Sequence, residues 1–154
     1  MNNGKERAGV VVVHDGRLAL IKRFRNGRLY YAVPGGGVER GETLEQAALR
    51  EAEEELGVDA TLGGLRVSIN HHEEDGSFQQ QWYFDATLDS DEIKLVGPEL
   101  NSHPSKGTYE AVWVPLRELA EIDVLPRAIA DLVAENNGVW PDGVIVIDEA
   151  DAKR

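Results

Sequence analysis

Short apolar runs separated by turn signals dominate the first third of the chain. Residues 10–13 and 18–21 are apolar and flank the pair Asp15-Gly16, and Asp-Gly between two apolar runs is typical of a tight hairpin turn. A second turn signal, Asn26-Gly27, precedes the apolar residues 29–33. The pattern therefore predicts two antiparallel strands followed by a third short strand.

A glycine-rich segment leads from the third strand into a helix. Residues 34–37 read Pro-Gly-Gly-Gly, the composition of a flexible loop. Thr43 is a favourable N-cap residue, Gln46 completes a capping box, and Gly57 suits the left-handed position that follows a helix. These signals predict a helix from Leu44 to Leu56.

The rest of the chain predicts further strands and a last helix. Strands are expected at residues 65–69, 81–88 and 111–114, a short turn of helix after Pro115, and a helix over Arg127–Glu135. Residues 89–107 lack periodicity and indicate a long loop of the kind that often carries specificity. Residues 143–147 predict either an added strand or an apolar strip buried in a homodimer. We expect one domain over residues 1–137 and a C-terminal tail over 138–154.

Composition narrows the class of protein. The 154 residues and 42% hydrophobic content suit one compact domain, and the chain holds no cysteine for disulfides or thiolate zinc sites. The polar N-terminus lacks the apolar stretch of a signal peptide, and no run reaches the ~20 apolar residues of a membrane span. A cytoplasmic protein without membrane contact is therefore expected.

The excess of acidic over basic residues indicates which kinds of partner the protein can bind. There are 28 acidic and 16 basic residues, a formal net charge of −12, which repels a nucleic-acid backbone. We therefore expect a small-molecule partner and no nucleic acid. A phosphate substrate stays compatible with this charge if metal cations lie between protein carboxylates and phosphate.

The predicted helix carries the strongest chemical pattern. At roughly 100° per residue, one apolar arc should face the core: Ala48, Leu49, Ala52 and Leu56. Glu51, Glu54 and Glu55 share the neighbouring arc, where like charges at these spacings repel one another. A divalent cation held by the three carboxylates would reverse that repulsion. A solvated acidic helix face is the alternative in a chain this acidic.

Around this helix the sequence resembles the Nudix box, G-x5-E-x7-R-E-U-x-E-E-x-G-U, where U is aliphatic. The matching residues run from Gly36 through Glu42 to Arg50-Glu51-Ala52-Glu53-Glu54-Glu55-Leu56-Gly57-Val58. Every fixed position matches, and only Ala52 is small for its aliphatic position. The resemblance implies an α/β protein with the Nudix fold, a mixed β-sheet in an α/β/α sandwich, in which the box forms a loop, a helix and a second loop.

The resemblance also implies roles for the matched residues. Glu51, Glu54, Glu55 and the Gly36 carbonyl are expected to bind Mg²⁺ or Mn²⁺. Arg50 is expected to orient a neighbouring glutamate, and Glu42 to help position this shell. With these roles, the implied activity is hydrolysis of a diphosphate linkage by attack of water on phosphorus, with Glu54, Glu55 and Arg50 as the catalytic groups.

Other candidates lie outside the box. Glu99, in the predicted long loop, and Glu110, at the start of a strand, could supply a further metal ligand or the general base; the alternative, favoured for each, is a surface carboxylate. Three arginines flank the strand that leads into the glycines and could bind substrate phosphate or form a solvated hairpin rim: Arg23, Arg25 and Arg28.

The substrate stays open at this level. Nucleoside triphosphates, ADP-ribose and nucleotide sugars all fit the box, because the moiety beyond the diphosphate is recognised outside it. Two other readings are a non-catalytic Nudix module that binds a nucleotide as a sensor or scaffold, and an acidic domain that binds a basic protein.

Overall fold

Two mixed β-sheets flanked by helices make up the computed structural model, which describes residues 6–72, 76, 78–94 and 107–150. The strands are β1 (Glu6–Val11), β2 (Val13–His14), β3 (Arg17–Arg25), β4 (Arg28–Ala32), β5 (Gly35–Gly37), β6 (Ala60–His72), β7 (Phe78–Leu88), β8 (Thr108–Pro115), β9 (Val124–Leu125) and β10 (Ile145–Ala150). The helices are α1 (Leu44–Leu56), α2 (Arg127–Glu135) and a 3-10 helix (Leu116–Glu121).

The strand order explains why both sheets are mixed. One sheet has the order β10-β6-β7-β1-β5, with β1–β7 and β10–β6 parallel. The other has the order β2-β3-β4-β9, with β4–β9 parallel and β8 paired with β3. Helix α1 packs on one side of the sheets and α2 on the other, each over its own apolar cluster. The predicted α/β/α sandwich is therefore confirmed.

Strand β1 and the residues after it show how one apolar run serves both clusters. Val10 and Val12 lie in the cluster under α1, whereas Val11 lies in the cluster under α2. Successive side chains of a strand point to opposite faces, so a strand covered on both faces is apolar throughout. This is why the predicted strands read as unbroken runs.

The local turn and cap predictions are confirmed. Asp15 and Gly16 have φ values of 53° and 71°, and Asn26 and Gly27 have 54° and 77°, as two-residue hairpin turns that match strand twist require. In α1 the Thr43 hydroxyl accepts from the Gln46 amide at 3.0 Å, and the Gln46 side chain accepts from the Thr43 amide at 2.9 Å. Helix α1 therefore begins and ends where its caps predict.

The glycine-rich segment differs from its prediction. Gly35–Gly37 is not a free loop but the short strand β5, antiparallel to β1, with Gly35 opposite Gly9. A Cβ on Gly35 would lie 2.8 Å from the Ala8 carbonyl oxygen and 2.9 Å from the Gly9 Cα. Glycine is needed because the two backbones pass too closely for a side chain.

The buried arc of α1 is also wider than predicted. Leu49 is partly exposed, whereas Ala47 on the other side of the helix is fully buried. The buried residues are Ala47, Ala48, Ala52 and Leu56. On a helical wheel at roughly 100° per residue, Glu51 and Glu55 fall between Ala47 and Ala48, inside this arc. The two carboxylates therefore point into the protein rather than along its edge.

The C-terminal tail contributes a strand. Strand β10 extends β6 in parallel, and Trp140 and Ile147 pack against the cluster under α2. His71 lies 3.0 Å from Glu149, and His72 lies 2.8 Å from Asp148, so the two histidines contact separate carboxylates of β10. Val146 is 66% exposed at this sheet edge.

The predicted long loop is described only over residues 89–94 and at Gly107, and Glu99 lies outside the described residues. No helix in the described ranges is both long and apolar enough to cross a membrane.

Candidate active site

A hydrogen-bond network around Arg50 holds one side of the site in place. Arg50 donates to both carboxylate oxygens of Glu42, from Nε at 2.7 Å and from Nη2 at 2.9 Å. The same guanidinium donates to Glu51 at 2.9 Å and to the Gly37 carbonyl at 3.1 Å. One planar donor group thereby links α1 to the loop before it and to β5.

This network shifts the proton affinities of its members. The hydrogen bond from Arg50 lowers the pKa of Glu42 below its ordinary value of 4.5, against the opposing effect of burial. The hydrogen bond to Glu42 in turn raises the pKa of Arg50, with Glu51 adding to the effect. The network therefore pairs the Arg50 cation with the Glu42 anion at neutral pH.

Two carboxylates of α1, those of Glu51 and Glu55, lie against β5. A Cβ on Gly36 would lie 2.3 Å from Glu51 Oε1, so this carboxylate occupies the space that any side chain at position 36 would need. Glu55 Oε1 accepts from the Gly35 amide at 2.7 Å. The glycines of β5 thus bring a bare backbone against both Glu51 and Glu55.

Glu54 is placed differently from its two neighbours. Its carboxylate lies 3.9 Å from Arg50 Nη1, and its side chain is 31% exposed, against 12% for Glu51. Within the described part of the chain, no three Asp, Glu, His or Cys side chains stand close enough to hold a metal ion together. Glu51 and Glu54 both lie near the Arg50 guanidinium, whereas Glu55 accepts from the Gly35 amide. The predicted convergence of three carboxylates is therefore only partial.

A cavity of about 290 Å³ opens between β5, α1 and the sheet of β3. It is lined by Arg7, Ile21, Arg23, Ala32, Val33, Gly35, Gly36, Glu51, Glu55 and Tyr109. Arg7 Nη2 donates to the Gly35 carbonyl at 3.4 Å, and the Arg23 guanidinium stacks 3.6 Å from the centre of the Tyr109 ring. Two carboxylates and two guanidinium groups therefore face one small volume, a combination suited to a metal-bound anion.

The family assignment rests on a match that includes this site. The NUDIX domain family matches residues 4–134, which contain every residue of the cavity. The chain belongs to the NUDIX family.

The chain is also similar to named relatives and, in its fold, to a solved structure. An RNA pyrophosphohydrolase of Teredinibacter turnerae is 25% identical over 164 residues, covering 94% of this chain and 93% of that protein. A Mycobacterium tuberculosis protein that carries the name MutT4 is 35% identical over 103 residues, covering 66% of this chain and 39% of that protein. A NUDIX hydrolase from Nitrosomonas europaea superposes with a TM-score of 0.69 at 20% identity, covering 94% of this chain and 78% of that one. The chain spans about half the length of several curated relatives.

The three arginines predicted to bind phosphate lie in different surroundings in this Nudix chain. Arg23 lines the cavity. Arg28 instead binds Asp123, with Nη2 at 2.7 Å and Nε at 3.1 Å from the same oxygen. Arg25 is exposed at the end of the β3–β4 hairpin. Only Arg23 is brought to the carboxylates.

Of the two candidate bases outside the box, Glu110 is described, and it does not line the cavity. Glu110 is exposed, and it follows Tyr109 on β8, so its side chain leaves the opposite face of the strand. Glu99 lies outside the described residues. Of the described carboxylates, Glu51 and Glu55 of the box are the ones that line the Nudix cavity.

Sequence reasoning missed Arg7 and Tyr109. Arg7 precedes the first apolar run, and it reaches the site because β1 pairs with β5, placing Arg7 opposite Gly37. Tyr109 precedes the predicted strand at 111–114, but β8 begins at Thr108 and pairs Tyr109 with Arg23. The alternation of side chains along a strand could have placed Tyr109 on the same face as Ala111. Arg7 could have been placed only from the pairing of β1 with β5, which are distant in sequence.

Proposed function

We propose that this chain is a divalent-metal-dependent hydrolase that cleaves a diphosphate linkage in a nucleoside diphosphate derivative. Water attacks one phosphorus, and a nucleoside monophosphate is one product. The observation that carries the proposal is the placement of Glu51 and Glu55 inside the buried arc of α1, against the bare glycine backbone of β5 and in one cavity with two arginines.

The donor set fits Mg²⁺ or Mn²⁺. Carboxylate oxygens and a backbone carbonyl are the hard ligands that these ions prefer, and the chain offers Glu51, Glu54, Glu55 and the Gly36 carbonyl. Glycine at position 36 supports this assignment because a side chain there would fill the space that the Glu51 carboxylate occupies. When bound, the ion neutralises charge on the phosphoryl oxygens and the leaving group.

The protein's own groups then position the substrate. Arg50 holds the Glu51 carboxylate, and the Gly35 amide holds that of Glu55, so neither has to be ordered during the reaction. Arg23 binds a phosphate of the substrate, with its guanidinium kept in place by the Tyr109 ring. Glu54 or Glu55 takes the proton of the attacking water.

The size of the cavity and the net charge of the chain bear on which nucleotide is the substrate. Nucleoside triphosphates, ADP-ribose and nucleotide sugars are small enough to reach a cavity of about 290 Å³ with their diphosphate while the nucleoside stays outside. The T. turnerae relative is named for a pyrophosphate linkage on RNA, whereas the net charge of −12 disfavours a polyanionic chain. We therefore propose a small nucleotide as substrate.

The test is nucleotide release from a panel of compounds. Nucleoside triphosphates, ADP-ribose, nucleotide sugars, dinucleoside polyphosphates and 5′-triphosphorylated RNA are incubated with Mg²⁺ or Mn²⁺ and separated by chromatography. Wild type is compared with Glu55→Gln and with Glu45→Gln, an exposed carboxylate in the first turn of the same helix. Turnover that chelator and Glu55→Gln abolish, but Glu45→Gln keeps, supports the hydrolase. Nucleotide binding without turnover of any compound would support the sensor instead.

A further inference from the structure

Arg7 and Arg23 line the proposed active site from two different sheets. Arg7 lies on β1, in the sheet that also contains β5, and Arg23 lies on β3, in the other sheet. Both side chains line the cavity of about 290 Å³ that Glu51 and Glu55 also line. Each sheet therefore contributes one guanidinium group to the same small volume.

Two glycines of β5 open the path by which Arg7 reaches the cavity. Arg7 pairs directly with Gly37, and opposite residues of paired strands point to the same face of a sheet. Gly35 lies two positions before Gly37 and hence on that face as well. Because neither glycine carries a side chain, the Arg7 side chain can lie across β5, where its Nη2 donates to the Gly35 carbonyl at 3.4 Å.

The strands beside Arg7 do not neutralise its charge. On the side of β7, Arg7 pairs with the neutral Gln81, whose Oε1 accepts from the Tyr83 hydroxyl at 2.8 Å. Within the described residues no ion pair of Arg7 is observed, and its hydrogen bond of 3.4 Å is longer than the usual length of about 2.9 Å. A guanidinium has five donors. Most of those of Arg7 are therefore available to a ligand.

This unpaired cation stands out in a chain with a net charge of −12. Arg50 and Arg28 each donate at 2.7 Å to a carboxylate, whereas Arg7 is partly buried without such a partner. A partly buried charge without a partner costs free energy, and an anionic ligand would remove that cost. Phosphate is an anion whose oxygens match the planar fork of a guanidinium. The surroundings of Arg7 therefore suit a phosphoryl group in the cavity.

We propose that Arg7 binds one phosphoryl group of the substrate and Arg23 the other, so that the diphosphate lies between the two sheets. The inference rests on the proposed function, because it requires that the cavity receive a diphosphate. Cleavage separates the two phosphoryl groups, so each product keeps only one of the two arginine contacts. The pair of arginines thereby favours binding of the substrate over binding of either product.

The probe is methylenediphosphonate, a diphosphate analogue without a nucleoside whose bridging carbon prevents cleavage. Its affinity and that of inorganic phosphate are measured by calorimetry with excess Mg²⁺ for wild type, Arg7→Gln, Arg7→Lys and the control Arg117→Gln, at a side chain that is 83% exposed. We expect Arg7→Gln to bind the diphosphonate at least about tenfold more weakly, as loss of a charge-assisted hydrogen bond predicts. Phosphate should lose less affinity. Arg7→Lys should lie between wild type and Arg7→Gln, because lysine keeps the charge without the fork.

Mn²⁺ affinity without any anion separates a phosphate contact from a general disturbance of the site. It should not fall in Arg7→Gln or Arg7→Lys, and far-UV circular dichroism reports whether each variant is folded. The proposal is overturned by a fall in Mn²⁺ affinity in folded variants, by equal weakening of diphosphonate and phosphate, by wild-type affinity in the Arg7 variants, or by a wild type that does not bind the diphosphonate.

Failure of the hydrolase assignment gives a different result. Diphosphonate binding that depends on Arg7, without turnover of any nucleotide by wild type, would contradict the hydrolase and still support the pair of arginines. Turnover of a nucleotide with an unchanged KM in Arg7→Gln would support the hydrolase and overturn the role of Arg7.

Discussion

Arg50 and Glu42 are eight positions apart in sequence, and they form two hydrogen bonds of 2.7 and 2.9 Å. The pair fixes a guanidinium whose remaining donors reach Glu51 and the Gly37 carbonyl. The position of the Glu51 carboxylate therefore depends on a residue that does not itself line the cavity.

Arg50→Lys tests this dependence. Lysine keeps the charge but cannot form the two-bond fork, so the Glu51 carboxylate should lose its fixed position. Removal of such a supporting group typically lowers metal affinity or turnover about 10–100-fold. Steady-state kinetics at several Mg²⁺ concentrations measure this, with Arg117→Lys, 83% exposed, as the control. Wild-type kinetics in Arg50→Lys would contradict the positioning role.

The ion pair between Glu42 and Arg50 should also affect how the free energy of unfolding depends on pH. Because Arg50 lowers the pKa of Glu42 in the folded protein, the pair stabilises the fold above the ordinary value of 4.5 and loses this effect as pH falls through the lowered value. Glu42→Gln should cost about 1 kcal/mol at pH 7 and less at pH 2. Urea unfolding across this range is the measurement. A cost that is the same at both pH values would show that the ion pair is not its source.

Gly36→Ala tests the close approach of β5 to Glu51. The new Cβ would lie 2.3 Å from Glu51 Oε1, and the carboxylate, held by Arg50, must move. We expect turnover to fall about 10–100-fold while the protein stays folded. Gly64→Ala is the matched control, because its Cβ would meet only Arg66, at 3.9 Å. Equal activity in the two variants would mean that space at position 36 is not limiting.

The place of the C-terminal strand in the fold is tested by two neighbouring residues. Ile147 packs against the cluster under α2, and Val146 is 66% exposed on the opposite face of β10. Ile147→Ala should lower the free energy of unfolding by about 2 kcal/mol, and Val146→Ala should change it by less than about 0.5 kcal/mol. Thermal or urea unfolding of the two variants measures this difference. Two equally small effects would show that the tail is not part of the cooperative fold.

What the sequence predicts well here is governed by neighbours in the chain. Helix α1 has its predicted bounds because Thr43, Gln46 and Gly57 act within a few residues of its ends. The two hairpin turns likewise depend only on Asp15-Gly16 and Asn26-Gly27.

What the sequence leaves out depends on contacts between distant segments. Gly35–Gly37 reads as a loop because its strand character comes from pairing with β1, and Arg7 enters the site through that same pairing. Helical geometry places Glu51, Glu54 and Glu55 on one side, but it does not say that Arg50 and Gly35 give Glu51 and Glu55 separate partners. The predicted core position of Leu49 is wrong for a related reason, since a helical wheel does not reveal which arc the sheets cover.

The most direct test of the proposed metal site is Mn²⁺ binding, followed by electron paramagnetic resonance of the free ion. Wild type, Glu51→Gln, Glu55→Gln and the control Glu45→Gln are titrated without substrate. We expect wild type and Glu45→Gln to bind alike, and each of the other two variants to bind at least about tenfold more weakly, because a carboxylate ligand is lost. Equal Mn²⁺ affinity in all four proteins would contradict a metal site at Glu51 and Glu55.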